Sequence, residues 1–526
     1  MLRWNGWGYQ EITYPLSEAT RAHLKAHLGE PAPPPDARRE AVRLPPPHVF
    51  PRPHESLVTD DDSRLRHARG QSFPDLVAKR FGQYQRFPDA VAFPERDEQV
   101  GELLRWAGAA GAQVIPFGGG TSVVGGVNPS VEDDRPVMTL SMARVNALRA
   151  LDETSGLAAF GAGAAGPLVE AQLRAHGFTL GHFPQSFEHS TLGGWIATRS
   201  SGQQSPGYGR MEGMFAGGTL ETPAGRLRLP PFPASAAGPD LRQLVLGSEG
   251  RLGVITEAVM RVRRLPEAEA FYGIMFPDWA GGMAAARAAT QSRVAASMMR
   301  LSNPSETETF LHLPVHQQPV RALRTLLRLR GCGPDACLLV FGVTGQRAAA
   351  ALARREMAAL SRQHGGVWLT QVIGRQWQHS RFRSAYLRDA LWEQGYAVDT
   401  LETAVPWAGV PSASRDILSA LGGAVSPVLP MVHLSHFYPD GAGLYFTFLF
   451  RVGQTAEETL ARWRALKTAA SQAVLTAGGT ISHHHGVGSD HRRYLPAEKG
   501  ALGLSTLEAV RHVLDREGMM NPGKLL

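Results

Sequence analysis

Five glycines fall within the nine residues Gly118-Gly119-Gly120-Thr121-Ser122-Val123-Val124-Gly125-Gly126, directly after the apolar run Gln113-Val114-Ile115-Pro116-Phe117. Glycine tolerates positive φ and carries no Cβ, so successive backbone N–H groups can turn inward and a diphosphate can approach the main chain closely. Thr121 and Ser122 add hydroxyl donors. The loop lacks the Lys of a G-x-x-x-x-G-K-[ST] motif, which argues against triphosphate hydrolysis, and it is not a G-x-G-x-x-G opening a long helix. Alone it reads equally as a plain turn. In context it points to a flavin dinucleotide, bound otherwise than in the common Rossmann way.

Two further small-residue segments supply that context. One is Gly181-His182-Phe183-Pro184-Gln185-Ser186-Phe187-Glu188-His189-Ser190-Thr191-Leu192-Gly193-Gly194-Trp195-Ile196-Ala197-Thr198-Arg199-Ser200-Ser201-Gly202, where polar donors flank a Gly-Gly pair. The other is Gly247-Ser248-Glu249-Gly250-Arg251-Leu252-Gly253-Val254-Ile255-Thr256, small residues leading into a β-branched strand. A different chemistry is offered by Ser482-His483-His484-His485-Gly486. On a strand, His483 and His485 would face one way and His484 the other. An i, i+2 pair lacks a third ligand in sequence, so no metal is expected.

The elements that must position these groups read as α/β from about residue 85. A strand is predicted at residues 91–93, then a helix capped by Asp97, with Val100, Leu103, Leu104 and Ala107 at i, i+3, i+4, i+7. Strands at 137–140 and 156–163 and a helix near Pro167 follow. From 270 to about 450, strands and helices alternate in a separate unit, with strands at 336–343 and 365–372 and a helix from Gln346. Near the end, Ser505 to Glu508 reads as a capping box for a helix presenting Leu507, Val510 and Leu514 on one face. Residues 1–80, with Pro31-Ala32-Pro33-Pro34-Pro35 and Pro45-Pro46-Pro47, read as an extended arm. Its opening Trp4-Asn5-Gly6-Trp7-Gly8-Tyr9 is too aromatic to hang free.

A chain of 526 residues, 43% apolar and 19% charged, is long enough for two or three domains with sizeable cores. No run approaches the roughly 20 apolar residues of a spanning helix. The first residues show no secretory pattern. Two cysteines, Cys332 and Cys337, are too few for a disulfide framework or structural zinc, so reduced thiols are expected. The net charge of +7 suits anionic ligands or an anionic membrane surface. Basic blocks interleaved with aromatics are absent, so no nucleic-acid partner is expected.

The three loops together resemble the flavin-binding domain of the vanillyl-alcohol oxidase and para-cresol methylhydroxylase superfamily. More narrowly, the chain resembles the alkyldihydroxyacetonephosphate synthase family over nearly its whole length. The narrow marks are the tryptophan-rich start, Glu402-Thr403-Ala404-Val405-Pro406-Trp407 and the triple histidine. The resemblance implies an α+β fold: an extended arm (1–80), a PCMH-type FAD-binding domain of two α/β subdomains (81–268), an α/β cap over the substrate (269–450) and a closing C-terminal segment (451–526).

It also implies a reaction, the exchange of the acyl group of acyl-dihydroxyacetonephosphate for a fatty alcohol with no net oxidation. The flavin N5 would hold the dihydroxyacetonephosphate carbon between departure and arrival. Tyr445 matches the family's acid/base, useful to the extent that cations or hydrogen bonds lower its ordinary value of about 10; without the resemblance it reads as a core tyrosine on a half-buried strand. Arg388 matches the arginine assigned to the substrate phosphate, and Arg300 another required for activity. His483, His484 and His485 are placed to polarise Tyr445 or to touch the flavin. The FAD is expected to be non-covalent and held by Pro116, Phe117, Gly118, Gly119, Gly120, Thr121, Ser122, Gln185, Ser186, Ser190, Thr191, Gly193, Gly194, Thr198, Arg199, Ser200, Ser201, Glu249, Gly250, Gly253, Val254 and Ile255.

Two departures stand out. Phe183 and Gln185 occupy places where the family carries acidic residues. The ending Asn521-Pro522-Gly523-Lys524 looks more like flavin-linked dehydrogenases of 2-hydroxy acids, and an FAD-linked oxidoreductase of such an acid or an alcohol is the alternative reading. A homodimer, peripheral contact with a membrane and a cytoplasmic or inner-membrane-face location are expected. The terminal Lys524-Leu525-Leu526 is not a peroxisomal Ser-Lys-Leu.

Overall fold

A computed structural model describes residues 1–50, 53–312, 325–369 and 371–526. Nearest the glycine loop is a four-stranded sheet in the order Leu57–Val58, Ala90–Ala92, Val137–Ser141, Gln113–Phe117, its last three strands parallel. Helix Asp97–Ala109 buries Val100, Leu103, Leu104 and Ala107 in the core beneath this sheet, the face its periodicity predicts. Its cap differs from expectation. Arg96 is the capping residue and Gln99 accepts from the N–H groups of Glu95 and Arg96, while the Asp97 carboxylate is held by Arg149 at 2.6 Å.

A second sheet of five antiparallel strands runs Leu148–Asp152, Leu157–Gly161, Val254–Arg261, Phe215–Thr222, Gly225–Leu229. The third small-residue segment leads into its strand Val254–Arg261, while the second follows Phe178–Thr179, which pairs separately with Arg263–Arg264. The largest sheet has seven antiparallel strands in the order Val367–Trp368, Ala268–Phe276, Cys337–Gly345, Met298–Ser302, Val428–Phe437, Gly441–Arg451, Tyr396–Pro406. Side chains alternate between the faces of a strand, and Gly441–Arg451 uses this fully. Leu444, Phe446, Phe448 and Phe450 enter the core, whereas Tyr445, Thr447 and Leu449 face a cavity.

Several expectations are corrected. The arm is not simply extended: helix Glu18–Leu28, capped by Ser17, and helix Phe73–Phe81, with a Ser72 and Asp75 capping box, lie within it. Phe73, Leu76 and Val77 belong to the same core as the large sheet, so the arm is part of the packing. The aromatic start is docked, as expected, with Trp7 buried and its backbone N–H donating to Asp389 at 2.8 Å. Only Val367–Trp368 of the expected 365–372 strand pairs; Gln371 opens the next helix and Thr370 lies outside the described residues. The C-terminal helix runs Leu495–Leu514 across a non-helical Gly500, so Ser505 is helix interior and caps nothing. Residues 483–485 are bends rather than a strand, because their backbone wraps a buried carboxylate described below.

Candidate active site

One cavity of about 910 Å³ collects residues from all three small-residue loops, the large sheet and the arm. That size lies toward the upper end of ligand sites, which run from about 300 to 1,000 Å³. Of the residues expected at a cofactor, all except Arg199 line it. Arg199 turns away: its Nε donates to the Leu246 carbonyl at 3.0 Å and its Nη2 to Gln243. Glu249 reaches the cavity wall, but its carboxylate is spent elsewhere, accepting from the N–H groups of Val487 and Gly488 at 2.6 Å each. It clamps the histidine loop to the flavin-loop side.

The glycines answer to the protein as much as to a ligand. A Cβ on Gly119 would lie 1.7 Å from the His189 carbonyl oxygen, and one on Gly118 would lie 2.2 Å from the Thr191 hydroxyl. The first and second loops press directly on one another, which requires glycine on one side. Phosphate approach alone therefore does not explain the motif. Ser190 accepts from the Trp195 indole at 2.7 Å and donates to the Ser186 carbonyl, fixing the second loop.

These residues fit an FAD. Among the described residues, the N–H groups of 119–122 have no protein acceptor, and the buried Ser201 hydroxyl on the cavity wall has no partner. A buried hydroxyl without a partner is costly, and an anionic dinucleotide supplies acceptors for it and for the open N–H groups. Across the cavity, Arg388 uses Nη1 on the Gln71 carbonyl at 2.5 Å and leaves Nε and Nη2 buried and unpaired.

The reactive side chains form a row set by strand register. Tyr445 pairs with Glu402 on one side and His433 on the other, while Arg300 pairs with Ser435 one strand further on. The Tyr445 hydroxyl donates to Thr400 at 3.2 Å, and its ring stacks on His433 at 4.9 Å and 20°. His433 donates through Nδ1 to Glu306 at 2.9 Å, and Arg300 donates to the same oxygen at 2.9 Å. Burial alone would raise Glu306; His433 and Arg300 outweigh it and hold the carboxyl well below its ordinary range.

Tyr445 behaves otherwise than expected. Burial pushes its phenol well above the ordinary value, and the Thr400 bond and Arg300 do not reverse this.

Glu402 is the carboxylate at the centre of the histidine loop. Its Oε1 accepts from the backbone N–H of His484 at 2.7 Å and of His485 at 2.6 Å, and its Oε2 touches His484 Nδ1. Burial works against its ionisation, but His484 and His485 with these bonds keep it well below the carboxylate range. His484 and His485 line the cavity and flank Tyr445, with ring centres 6.2 and 5.5 Å away. His483 does not line it; its Nε2 contacts Tyr438 and Arg210.

The FAD binding domain family matches residues 88–229, and the family of FAD linked oxidases, C-terminal domain, matches 265–525. The chain is 32% identical to the alkyldihydroxyacetonephosphate synthase of Dictyostelium discoideum, over 90% of this chain and 79% of that one. It is 30% identical to the synthase of Trypanosoma brucei brucei, over 100% of this chain and 92% of that one. A solved structure of an alkyldihydroxyacetonephosphate synthase superposes with a TM-score of 0.86 at 28% identity, covering 99% and 98% of the two chains. The chain belongs to the alkyldihydroxyacetonephosphate synthase family.

Membership in the synthase family supports FAD as the cofactor and does not favour the dehydrogenase alternative. Sequence reasoning overlooked Glu306, His433, His436, Glu402 as a site residue, Arg210 and Tyr438. The signal available for His433 was its alternation with Met431 and Ser435 on one face of a strand; His436 escapes it, sitting at φ 56° on a bulge between Ser435 and Phe437.

Proposed function

We propose that this chain is an FAD-dependent alkyldihydroxyacetonephosphate synthase, exchanging the acyl group of acyl-dihydroxyacetonephosphate for a fatty alcohol. The observation that carries this is one cavity with a dinucleotide-like loop wall, unpaired arginine donors and the hydroxyl-bearing side chain of Tyr445. FAD, when bound, supplies the ring nitrogen at which the groups exchange. Arg388 binds the substrate phosphate through the fork of donors it leaves free. Tyr445 holds and moves the proton on the carbon beside the leaving carboxylate. Arg300, held by Glu306, places positive charge beside it, and Glu402 fixes the loop that brings His484 and His485 to the same wall. Met298, Met299, Phe310, Met431 and Leu449 line the cavity and suit the acyl and alkyl chains.

The division of the chain at residues 80, 268 and 450 belongs to the same proposal, as do a homodimer, peripheral membrane contact and a cytoplasmic or inner-membrane-face location. No helix among the described residues is long and apolar enough to cross a membrane. The test is anaerobic incubation of flavin-loaded protein with palmitoyl-dihydroxyacetonephosphate and hexadecanol. Alkyl ether and free palmitate in equal amounts are expected. Flavin bleaching by a 2-hydroxy acid with no ether formed would replace the proposal with the dehydrogenase reading.

A further inference from the structure

A file of hydrogen-bonded side chains leads from the cavity wall toward the outside. His484 lines the cavity beside Tyr445, and its Nδ1 lies 2.9 Å from Nδ1 of His483. Nε2 of His483 lies 2.6 Å from the Tyr438 hydroxyl, which also accepts from Arg210 at 2.7 Å. Arg210 in turn pairs at 2.6 Å with Glu212, whose side chain is 32% exposed. His483, Tyr438 and Arg210 lie outside the cavity wall, and Tyr438 is half-buried. The file thus has an inner end in the chamber and an outer end near solvent.

The exchange reaction, on the synthase reading, creates a use for such a file. The bond from dihydroxyacetonephosphate carbon to the acyl oxygen breaks, and a bond from the same carbon to the alcohol oxygen forms. No electrons are gained or lost overall. The alcohol gives up its hydroxyl proton, and the released fatty acid is ionised at neutral pH because a carboxyl has a pKa of about 4. Each turnover therefore leaves one proton in the cavity.

We infer that His484, His483 and Tyr438 form a relay by which that proton leaves, an inference that rests on the synthase reading. An imidazole can take a proton on one nitrogen and release one from the other. A proton on His484 Nδ1, which also touches Glu402 Oε2, crosses to His483 Nδ1, His483 passes one from Nε2 to the Tyr438 oxygen, and the Tyr438 hydroxyl proton goes to water. Around His483, Arg210 lies 2.5 Å from Nε2, Glu402 lies 3.7 Å from Nδ1, and the His436 ring is tilted against it at 5.1 Å.

Tyr438→Phe removes the outer hydroxyl and keeps the ring. With flavin content and KM unchanged, kcat is expected to fall roughly ten-fold or more, and added imidazole, a small proton carrier, should restore it in proportion to its concentration. The solvent deuterium effect on kcat should rise in the variant. His483→Gln, which breaks the file one step further in, should show the same rescue. Wild-type kcat in Tyr438→Phe, or a slow variant that imidazole does not restore, would overturn the relay and leave Tyr438 a packing residue. An inactive wild-type protein would instead refute the synthase reading.

Discussion

The two walls of the cavity are made of opposite materials. The wall of residues 116–122, 184–201 and 248–255 presents main chain, small residues and hydroxyls, whereas the wall of the seven-stranded sheet and the adjoining helix Pro304–His312 presents Arg300, Glu306, His433 and Tyr445. The first recognises by backbone donors that any residue type carries, so its demand is on space. The second recognises by ionised and aromatic groups that only particular residues carry, so its demand is on identity. Substitutions in the two walls should accordingly fail in different ways.

The largest effect belongs to the loop wall. Gly119→Ala adds one methyl group that meets the His189 carbonyl oxygen at 1.7 Å, a contact only backbone movement relieves. The protein is expected to purify without flavin and without activity while its far-ultraviolet circular dichroism stays native. Flavin retention at wild-type stoichiometry would show that the two loops do not press together. Next, on the sheet wall, Tyr445→Phe should leave flavin content and spectrum intact while kcat for ether formation falls about a thousand-fold. The pair separates loss of cofactor from loss of chemistry.

The same contrast explains what could be read from sequence. The loop wall was legible because its requirement is local: five glycines in nine residues after a strand carry the signal within one stretch. Even there, the cause was only half visible, since the contact between Gly119 and His189 spans 70 residues of chain. The sheet wall was legible only where a single residue could be named. Tyr445 was named, but Glu306 and His433 meet across 127 residues, and only the pairing of Met298–Ser302 with Val428–Phe437 joins them. Register between distant strands leaves no trace in either segment alone. The histidine triplet was seen, yet its conformation was misread, because Glu402 lies 82 residues from His484 and bends the loop around its carboxylate.

Glu306 offers a smaller and pH-dependent test of the sheet wall. Glu306→Gln keeps the shape and removes the charge that pairs with Arg300 and His433, at a cost of about 3 kcal/mol at pH 7. The sign follows from the depressed carboxyl of the folded protein. The unfolded chain takes up the proton first, so the stabilisation is complete above the ordinary value of about 4.3 and is lost as pH falls below it toward the folded value. The gap in melting temperature between wild type and variant should be widest at pH 7 and close below about pH 4. A gap independent of pH would mean that Glu306 is not ionised in the fold.

The smallest expected effect tests which wall Arg388 serves. It stands on helix Leu387–Trp392, outside both walls, with Nε and Nη2 unpaired and facing the cavity that both share. If those donors meet the phosphate of the lipid substrate, Arg388→Ala removes charge-assisted hydrogen bonds worth about 1.5–3 kcal/mol, and KM rises roughly ten- to hundred-fold. With kcat nearly unchanged, the lost interaction is one that ground and transition states share. Arg388→Lys should recover only part of the loss, since an ammonium keeps the charge but not the fork. Were the donors instead turned to the cofactor diphosphate, the variant would lose flavin on dialysis and its KM would recover when FAD is added in excess. Measuring KM at saturating FAD therefore assigns the arginine to one phosphate or the other.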